Sequence, residues 1–414
     1  MVTLIINIQQ LVNTRKETKL LRGKELAVLP CIENAFLLID HGIIAEYGHM
    51  YELALKVPHL PKNIIDAVGQ MILPCWCDSH THLVFAGSRE NEFVDKLNGL
   101  SYAEIAAKGG GILNSAKKLH EASEESLFTD AMKRLKEITL LGTGAVEIKS
   151  GYGLSVADEL KMLRVIKKLK EQSGLIIKAT FLGAHTYPLA YKEDHKGYID
   201  CIINEMLPVI AAEKLADYID VFCEKGFFSA EETDAICKAG AAYGLKPKLH
   251  VNQLNSIGGI ETGIANNAIS LDHLETLTDD EIRQLSTFNG VSTLLPTAAF
   301  FLRMAYQPAR KLIESGAAVA LASDYNPGSS PSGNMNFVTA LSCIQMKMLP
   351  EEVINAATIN GAYAMEAASQ AGSITIGKRA NLIFTKQVPS LPYLFYSFGN
   401  NHIDRIMING EWIS

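Results

Sequence analysis

The amino-acid sequence predicts an α/β protein: a TIM (β/α)8 barrel with a small β-sandwich domain formed by both chain ends. Three observations predict this fold. Apolar strand candidates alternate with helical stretches eight times over about 250 residues, the usual size of such a barrel. Both chain ends contain short strand patterns without long helices. Polar side chains that can bind a metal ion follow several of the eight strands.

The eight barrel strands are predicted from apolar runs that end in polar residues. They lie at residues 67–77, 145–149, 176–182, 218–223, 246–250, 268–272, 290–294 and 319–322. Nearly continuous apolar strands are typical of a parallel sheet that helices cover on both faces. Capping-box patterns at Ser155, Ser229 and Thr278 predict the starts of three helices between them. A doubly wound open sheet is the alternative, and it would spread the strand-end residues along a crevice.

The two chain ends are predicted to form the second domain. Short β segments are predicted at residues 3–8, 25–30, 34–40, 42–47, 372–384 and 403–412. Pairing of the first four with the last two, beside the barrel, is the simplest arrangement. It divides the chain into a β-sandwich domain, residues 1–70 plus 372–414, and a barrel domain, residues 71–371.

The composition allows a large core and argues against two classes of partner. The chain has 414 residues, 48% of them hydrophobic, and a net charge of −7. Lys and Arg are scattered, so no nucleic-acid partner is expected. No apolar stretch of about 18 residues predicts a membrane span, and the N-terminal segment lacks the basic start of a signal peptide. Seven cysteines in scattered apolar settings indicate a reducing, cytoplasmic location.

An HxH pattern within residues 73–93 predicts half of a metal site. Side chains at positions i and i+2 of a strand point to the same face, so His80 and His82 project together from the first barrel strand. Two imidazoles on one side suit a metal ion, although such a pair is equally compatible with ordinary polar residues in a loop. The remaining ligands must come from the ends of other strands.

Two further candidate ligands stand at the carboxyl ends of strands, where TIM barrels carry their chemistry. His250 follows the fifth strand and Asp324 follows the eighth. With the HxH pair they give three imidazoles and a carboxylate, which suit one divalent metal, Zn²⁺ or iron as Fe²⁺ or Fe³⁺. A second metal is not expected, because the nearest bridging candidates, Glu224 and Lys225, precede Gly226 in a predicted turn.

Two residues at these strand ends are candidates for proton transfer and its support. Asp324 can take the proton of an attacking water and later deliver it to a leaving nitrogen. His273 follows the sixth strand, and it is either a fifth ligand or a neighbour that holds the water or Asp324. Residues 89–121 are long for a strand–helix connection, and they form either an ordinary insertion or a lid over the barrel mouth.

These residues together resemble the amidohydrolase superfamily. The resemblance rests on the HxH pair, the histidines after strands five and six, the aspartate after strand eight and the β domain built from both ends. Four strings are similar to the imidazolonepropionase family in particular: HTHLVFAGSR at 80–89, VEIKSGYG at 146–153, TFLGAH at 180–185 and SDYNPGSS at 323–330. The resemblance spans residues 73–330, and it is most specific at the strings containing Arg89, Tyr152, His185 and Asn326.

The resemblance implies hydrolysis of the cyclic amide of 4-imidazolone-5-propanoate to N-formimidoyl-L-glutamate, in histidine degradation, by a metal-activated water. It implies that Arg89 and Tyr152 bind the substrate propionate, since a guanidinium is a planar bidentate donor for a carboxylate. The alternative for Arg89 is a surface ion pair with Glu90 or Glu92. The family also suggests a homodimer.

Five more residues receive roles from the same resemblance. His185 is expected to polarise the ring carbonyl under attack. Asn326 and the backbone of Gly328 and Ser329 are expected to contact the amide edge of the ring. Gln253 occupies a position where many family members carry Glu. Because Gln cannot act as a base, Gln253 is interpreted as a hydrogen-bond partner of the ring.

Two alternatives explain parts of this pattern. Another aminohydrolase or deaminase of the superfamily, acting on a heterocyclic ring, would use the same metal ligands. A neutral ring, however, offers no carboxylate to pair with Arg89. A non-catalytic scaffold barrel would be expected to have lost ligands, and none of the four is lost. A small-molecule substrate is therefore expected.

Overall fold

A computed structural model describes residues 1–100, 104 and 110–413, and its strands form two sheets. Numbered in chain order, the strands are β1 Val2–Val12, β2 Cys31–Asp40, β3 Ile43–His49, β4 Asn63–Asp66, β5 Met71–Pro74, β6 Trp76–Thr81, β7 Thr143–Lys149, β8 Ile176–Ala184, β9 Tyr218–Cys223, β10 Lys246–Val251, β11 Ser270–His273, β12 Val291–Leu294, β13 Val319–Leu321, β14 Leu382–Thr385, β15 Ile403–Ile408 and β16 Glu411–Ile413.

Strands β6 to β13 are parallel and pair in chain order, which confirms the eight predicted barrel strands. The first and last of them meet through two backbone hydrogen bonds. Asp324 N–H donates to the His80 carbonyl at 3.0 Å, and His82 N–H donates to the Tyr325 carbonyl at 2.9 Å. This closure excludes the open sheet. It also places the HxH pair directly beside Asp324.

The apolar run predicted as one strand at residues 67–77 is divided between the two sheets. Met71–Pro74 pairs with β1 and β14, whereas Trp76–Thr81 pairs with β7 of the barrel. The chain passes from one sheet to the other at the buried Cys75. This one-residue link ties the terminal sheet to the amino end of the first barrel strand.

The terminal sheet confirms the β domain that was predicted from both chain ends. Within the described residues, its strand order is β16-β15-β14-β5-β1-β2-β3, and β4 pairs beside β1. Buried side chains from both ends, among them Ile5, Leu37 and Phe384, form one apolar cluster. The domain boundaries at residues 70 and 372 stay a prediction.

Helices join successive barrel strands and cover the outside of the barrel. The longer ones are Glu90–Leu97, Ile112–Glu121, Glu124–Leu140, Val156–Gln172, His195–Cys201, Leu207–Glu213, Ala230–Ala242, Gly259–Ala265, Asp279–Thr287, Pro296–Leu302, Ala309–Ser315, Met335–Met346 and Pro350–Asn355. Short helical segments are Gly23–Ala27, Met50–Glu52, Leu53–Lys56, Leu189–Tyr191, Ile202–Met206, Ala356–Asn360, Gly361–Ala364 and Tyr393–Tyr396. The side chains of Ser155, Ser229 and Thr278 cap their helices as predicted.

Two predicted β segments are wrong in part or in whole. Residues 25–30 contain no strand and instead include the end of the 3-10 helix Gly23–Ala27. Of residues 372–384, only the last part belongs to a strand, Leu382–Thr385. Both segments carry buried apolar side chains such as Leu26. An apolar pattern predicts burial, and in short segments it does not distinguish a strand from a buried turn.

Of the helices that the structure describes, none is both long and apolar enough to span a bilayer. The predicted lid, residues 89–121, contains residues 101–103 and 105–109, which lie outside the described part of the chain. Its described ends contribute Lys96 and Ile112 to the wall of the central cavity. A lid motion stays a prediction.

Candidate active site

A cavity of about 580 Å³ opens at the carboxyl ends of the barrel strands. Eleven of the twelve site residues predicted from the sequence line it: His82, Arg89, Tyr152, His185, His250, Gln253, His273, Asp324, Asn326, Gly328 and Ser329. The twelfth, His80, is fully buried below the cavity, where its ring contacts those of His82 and His250. The fold therefore brings all twelve residues to one place.

Three imidazoles, which we call the floor of the cavity, direct their Nε2 atoms toward one another. The Nε2 of His80 lies 3.1 Å from that of His250, which lies 3.4 Å from that of His82. Burial lowers the pKa of all three rings well below the ordinary value. The rings are therefore neutral at pH 7, which is the form in which His binds metals.

Asp324 completes this cluster from the last barrel strand. Its Oδ1 lies 3.6 Å from the Nε2 of His80 and 3.5 Å from that of His82. Its Oδ2 accepts a hydrogen bond from the Ser329 hydroxyl at 3.1 Å. Burial raises the pKa of Asp324 to about 6. A φ of +53° at this residue turns the chain immediately after the strand, and the carboxylate faces the HxH pair.

The donor set on this floor fits a metal ion. Donor atoms of His80, His82 and His250 lie within 4.8 Å of one another, and so do those of His80, His273 and Asp324. Imidazole nitrogen and carboxylate oxygen are ligands of both zinc and iron. Neutral imidazoles whose Nε2 atoms face each other, with a carboxylate beside them, leave several lone pairs directed at one point.

Two buried carboxylates orient the imidazoles from behind. Asp272 Oδ2 lies 2.6 Å from the Nδ1 of His80, and Asp220 Oδ2 lies 2.9 Å from the Nδ1 of His250. Asp272 accepts a hydrogen bond from the Nδ1 of His80, which holds the proton there and leaves Nε2 free for a metal. Asp220 instead lies in close charge contact with the His250 ring and accepts the backbone N–H of His250 through Oδ1 at 3.1 Å. Neither carboxylate was predicted from the sequence. The available signal was an acid inside an apolar strand, as in YIDVFC at residues 218–223.

His273 lies beside the cluster in a strained backbone conformation. Its φ is +86°, in the left-handed region that a residue with a Cβ rarely adopts. Its Nδ1 lies 3.4 Å from Glu275 Oε1, which accepts a hydrogen bond from Gln307 at 2.9 Å. Burial disfavours the charged ring, but Glu275 raises the pKa of His273 overall. A donor atom of His273 lies within 4.8 Å of donor atoms of His80 and Asp324, a position that suits a ligand or a neighbour of the metal.

His185 and Tyr152 form one side of the cavity. The ring of His185 stacks on that of His82, with centroids 5.3 Å apart, and its Nδ1 lies 3.0 Å from the Gly151 carbonyl. This contact assigns the Nδ1 proton, which donates to the carbonyl. Burial lowers the pKa of His185 to about 4, so the ring is neutral. Burial and the neighbouring Asp324 raise the pKa of Tyr152, and Arg89 opposes this rise.

Arg89, at the rim of the cavity, is ion-paired with Glu92. Its Nε and Nη2 donate to Glu92 Oε2 at 2.8 and 2.6 Å, the pair that the alternative interpretation anticipated. Glu92 is buried, however, and its Oε1 accepts the backbone N–H of Gly111 at 3.1 Å. The remaining Nη1 lies against Gly328, where a Cβ would clash with it. Glu92 thus fixes the guanidinium between the loop and the cavity.

The loop after β13 is shaped by the side chain of Asn326. Its Oδ1 accepts the backbone N–H groups of Gly328 and Ser329, both at 2.8 Å, and its Nδ2 donates to the Asp324 carbonyl at 2.6 Å. These bonds occupy the amide groups that the sequence analysis expects to contact the substrate ring. In this structure the side chain of Asn326 therefore organises the loop, and Ser329 in turn holds the Asp324 carboxylate.

The remaining wall of the cavity is largely apolar and was not predicted. It consists of Phe222, Phe227, Leu254, Leu302 and Met304, together with Lys96 and Ile112. Gln253 adds a polar group beside Leu254. These apolar residues come from strand β9, from helices and from loops in separate parts of the chain. No sequence pattern distinguishes them from core residues. The site therefore combines a polar floor, one cationic rim and apolar sides of the kind that hold a small cyclic ligand.

Comparison with known proteins gives full-length relatives. The model of the amidohydrolase family matches residues 71–413. The imidazolonepropionase of Flavobacterium johnsoniae is 57% identical over 415 residues, and that of Christiangramia forsetii is 53% identical over 418 residues. Each of these two comparisons covers 100% of both chains.

Solved structures share the fold at much lower identity. An adenosine deaminase from Xanthomonas campestris with bound zinc has a TM-score of 0.74 at 15% identity, covering 99% of this chain and 92% of the other. Atrazine chlorohydrolase from Arthrobacter aurescens, complexed with zinc, has a TM-score of 0.76 at 15% identity, covering 99% and 94%. At this identity the likeness shows the fold alone.

Proposed function

Because this chain belongs to the amidohydrolase family and, within it, to the imidazolonepropionases, we propose that it hydrolyses 4-imidazolone-5-propanoate to N-formimidoyl-L-glutamate. The observation that carries the proposal is identity of 53–57% to imidazolonepropionases along the whole chain. The cavity supports it independently, since it joins a metal-binding floor to the guanidinium of Arg89. The substrate has a cyclic amide, which requires the floor for its hydrolysis, and a propionate, which requires a cationic group such as Arg89 for its binding.

The proposed cofactor is one divalent metal, zinc or iron, held by His80, His82, His250 and Asp324. When bound, such a metal lowers the pKa of a water ligand to about 7 and polarises a carbonyl oxygen. The donor chemistry of the floor supports the proposal, since three imidazoles are neutral and two are oriented by buried carboxylates. The zinc bound in the two solved structures of similar fold belongs to those proteins.

Asp324 is proposed to move the proton during hydrolysis. The oxygen of the attacking water adds to the ring carbonyl carbon, the adjacent ring C–N bond breaks, and the departing nitrogen takes a proton. Asp324 lies at the cavity with one oxygen among the imidazoles and the other held by Ser329. It can therefore accept the water proton and return it to the nitrogen. Gln253 cannot take this role.

His185 is proposed to polarise the carbonyl under attack. Its Nδ1 proton is committed to Gly151, and burial keeps the ring neutral. In that tautomer the Nε2 carries a lone pair, so donation to a developing oxyanion needs a flip of the ring that turns its Nδ1 proton toward the oxyanion. We propose that the ring flips when the substrate enters, and that His273 beside Glu275 stays available to hold the water or Asp324.

Arg89 and Tyr152 are proposed to bind the propionate. Glu92 uses the Nε and Nη2 donors on one edge of the Arg89 guanidinium, which leaves Nη1 for a substrate carboxylate at the cavity. The Tyr152 hydroxyl is within electrostatic reach of Arg89 and can add a second donor. Asn326, Gly328 and Ser329 then form the loop surface against which the ring lies, and Gln253, which also lines the cavity, is proposed as a hydrogen-bond partner of the ring.

The first test is turnover of 4-imidazolone-5-propanoate, followed by the loss of its ultraviolet absorbance and by identification of N-formimidoyl-L-glutamate as the product. Adenine, guanine and cytosine derivatives serve as substrates for the rival deaminase activity, with ammonia as the measured product. We expect turnover of the imidazolone and no ammonia release. Ammonia release without imidazolone turnover would favour the deaminase. Inactivity of metal-loaded protein on every compound would favour the scaffold alternative.

Two further properties are proposed from family membership. We propose a homodimer, to be checked by the molar mass of the full chain in solution. We also propose a cytoplasmic location, which the seven free thiols support, because reducing compartments keep cysteines unpaired.

A further inference from the structure

Lys149 on β7 is a charged side chain sealed inside the barrel below the cavity. It is fully buried. Its Nζ lies 2.9 Å from Glu147 Oε1, 2.9 Å from Asp220 Oδ2 and 3.8 Å from Asp272 Oδ2. A buried ammonium is costly unless several acceptors surround it. Three carboxylates from three strands therefore converge on this one cation.

Two of these carboxylates are the ones that orient the floor. The same Oδ2 of Asp220 that lies 2.9 Å from Lys149 Nζ also lies 2.9 Å from the Nδ1 of His250. The same Oδ2 of Asp272 that lies 3.8 Å from Lys149 Nζ lies 2.6 Å from the Nδ1 of His80. Lys149 therefore lies near two carboxylate oxygens, each of which also contacts the Nδ1 of a proposed metal ligand.

A second buried lysine, Lys248 on β10, provides an internal comparison. Its Nζ donates to the Ala364 carbonyl at 2.8 Å, and it lies 3.9 Å from Asp272 Oδ2. It is as deeply buried as Lys149. The two lysines lie at nearly the same distance from Asp272 Oδ2, 3.8 and 3.9 Å, so they differ in the 2.9 Å contact that Lys149 alone of the two makes with Asp220.

We propose that Lys149 is a positioning residue for the metal site: it fixes Asp220 and Asp272, and through them it aims the Nε2 atoms of His250 and His80 at the metal. The inference rests on the proposed function. Without the ammonium, the buried carboxylates repel one another and reorient, so His80 loses the hydrogen bond that fixes its tautomer and both imidazoles lose their fixed direction. Loss of partners behind metal ligands typically weakens metal binding by about 10–100-fold.

The test measures zinc affinity of the full chain, stripped with a chelator and titrated in competition with a chromophoric chelator. We expect Lys149→Met to weaken zinc binding by about 10–100-fold and Lys248→Met to weaken it clearly less. Unchanged affinity in Lys149→Met would overturn the proposal. An equal loss of zinc affinity in both variants would also overturn the proposal. The loss would then follow from removing any buried lysine and would not depend on the contacts that Lys149 makes with the carboxylates.

A double-mutant comparison separates positioning from general damage to the core. In an Asp220→Asn/Asp272→Asn background, neither carboxylate behind the floor imidazoles is left for Lys149 to orient, so adding Lys149→Met should cause no further loss of zinc affinity. A further loss as large as that in the wild-type background would contradict the inference. Non-additivity of this kind is the expected sign of residues acting through one another.

Two measurements keep the result interpretable. If Lys149→Met does not fold, Lys149→Met/Glu147→Gln removes one charge of each sign, and the same weakening is expected of it. Circular dichroism of the metal-free proteins establishes that each is folded. Wild-type protein that binds no zinc or iron would refute the proposed function, whereas wild-type binding with an unaffected Lys149 variant would refute only this inference.

Discussion

The floor and the rim of the cavity are held in place by different means. His80 and His250 project from barrel strands, and each is backed by a carboxylate that belongs to another strand. Arg89 and the Asn326 loop lie on connections, and they are held by short-range bonds, to Glu92 three residues away and to Gly328 two residues away. The position of the floor therefore follows from strand register, whereas the rim depends on the individual sequence of each loop.

Under the proposed function, this difference separates the chemistry from the selectivity for substrate. The floor carries the groups that any metal-assisted hydrolysis needs. The rim carries Arg89, whose value depends on the substrate having a carboxylate. Changes on the floor are therefore expected to abolish metal binding and turnover together, and changes on the rim to alter substrate affinity while the metal stays bound.

The largest effect is expected from His250→Ala on the floor. His250 contacts both other floor imidazoles, so its removal should lose most of the bound metal and nearly all turnover. The barrel should still fold, because the large core cluster is untouched. Elemental analysis measures the bound metal, a turnover assay measures the activity, and circular dichroism shows whether the barrel is folded. A variant that is fully active and metal-replete would remove His250 from the ligand set.

Arg89→Met on the rim should raise KM for 4-imidazolone-5-propanoate strongly and leave the metal content unchanged. Loss of one partner of a desolvated charge pair costs roughly 2–5 kcal/mol, which corresponds to about 30-fold or more in kcat/KM. kcat can fall as well, since the remote carboxylate helps to orient the ring.

The control for Arg89→Met is an imidazolone that lacks the propionate. Wild-type protein should process it poorly, and the variant should process it no worse than wild type. Equal losses on both compounds would make Arg89 a structural residue that acts through its pair with Glu92.

The His273 ring lies beside the floor imidazoles and also lines the cavity. We therefore expect His273→Ala to have an intermediate effect. If His273 supports the metal site from outside the ligand set, the variant should keep measurable metal and lose about 10–100-fold in rate. Metal content and kcat of the same preparation are compared. Complete loss of metal would instead make His273 a direct ligand, which its short distance to the cluster also permits.

The smallest effect is expected from Gly328→Ala on the rim. The added Cβ would clash with Arg89 Nη1, and Glu92 prevents the guanidinium from moving away freely. We expect a rise in KM that is smaller than in Arg89→Met, with kcat nearly unchanged. An unchanged KM would show that Nη1 does not face the substrate carboxylate, and an effect on the propionate-free compound would point to a distorted loop.

The floor was largely predictable from the sequence, because a closed parallel barrel brings strand ends together. His80, His82, His250 and Asp324 could be named from their places at the ends of three strands, and the structure brings them together. Lys149, Asp220 and Asp272 could not be assigned. Their contacts depend on the register between neighbouring strands and on which face of each strand turns inward, and an apolar run does not specify either.

The rim was predictable only in part, because loop geometry is decided by local hydrogen bonds. Arg89 was identified, and its pair with Glu92 was anticipated, but the burial of that pair was not. Asn326 was expected to face the substrate, whereas its amide bonds the backbone of its own loop. The spacing of Asn, Gly and Ser is compatible with either arrangement, since Asn side chains readily bond the backbone two residues on.

The proposal of a single catalytic metal is tested most directly by a metal titration of the chelator-stripped protein, with turnover of 4-imidazolone-5-propanoate as the readout. We expect no turnover without metal, and a rise in turnover on addition of Zn²⁺ or Fe²⁺ that ends at one equivalent per chain. Full turnover by the stripped protein, or a rise that continues to two equivalents, would contradict a single metal held by His80, His82, His250 and Asp324.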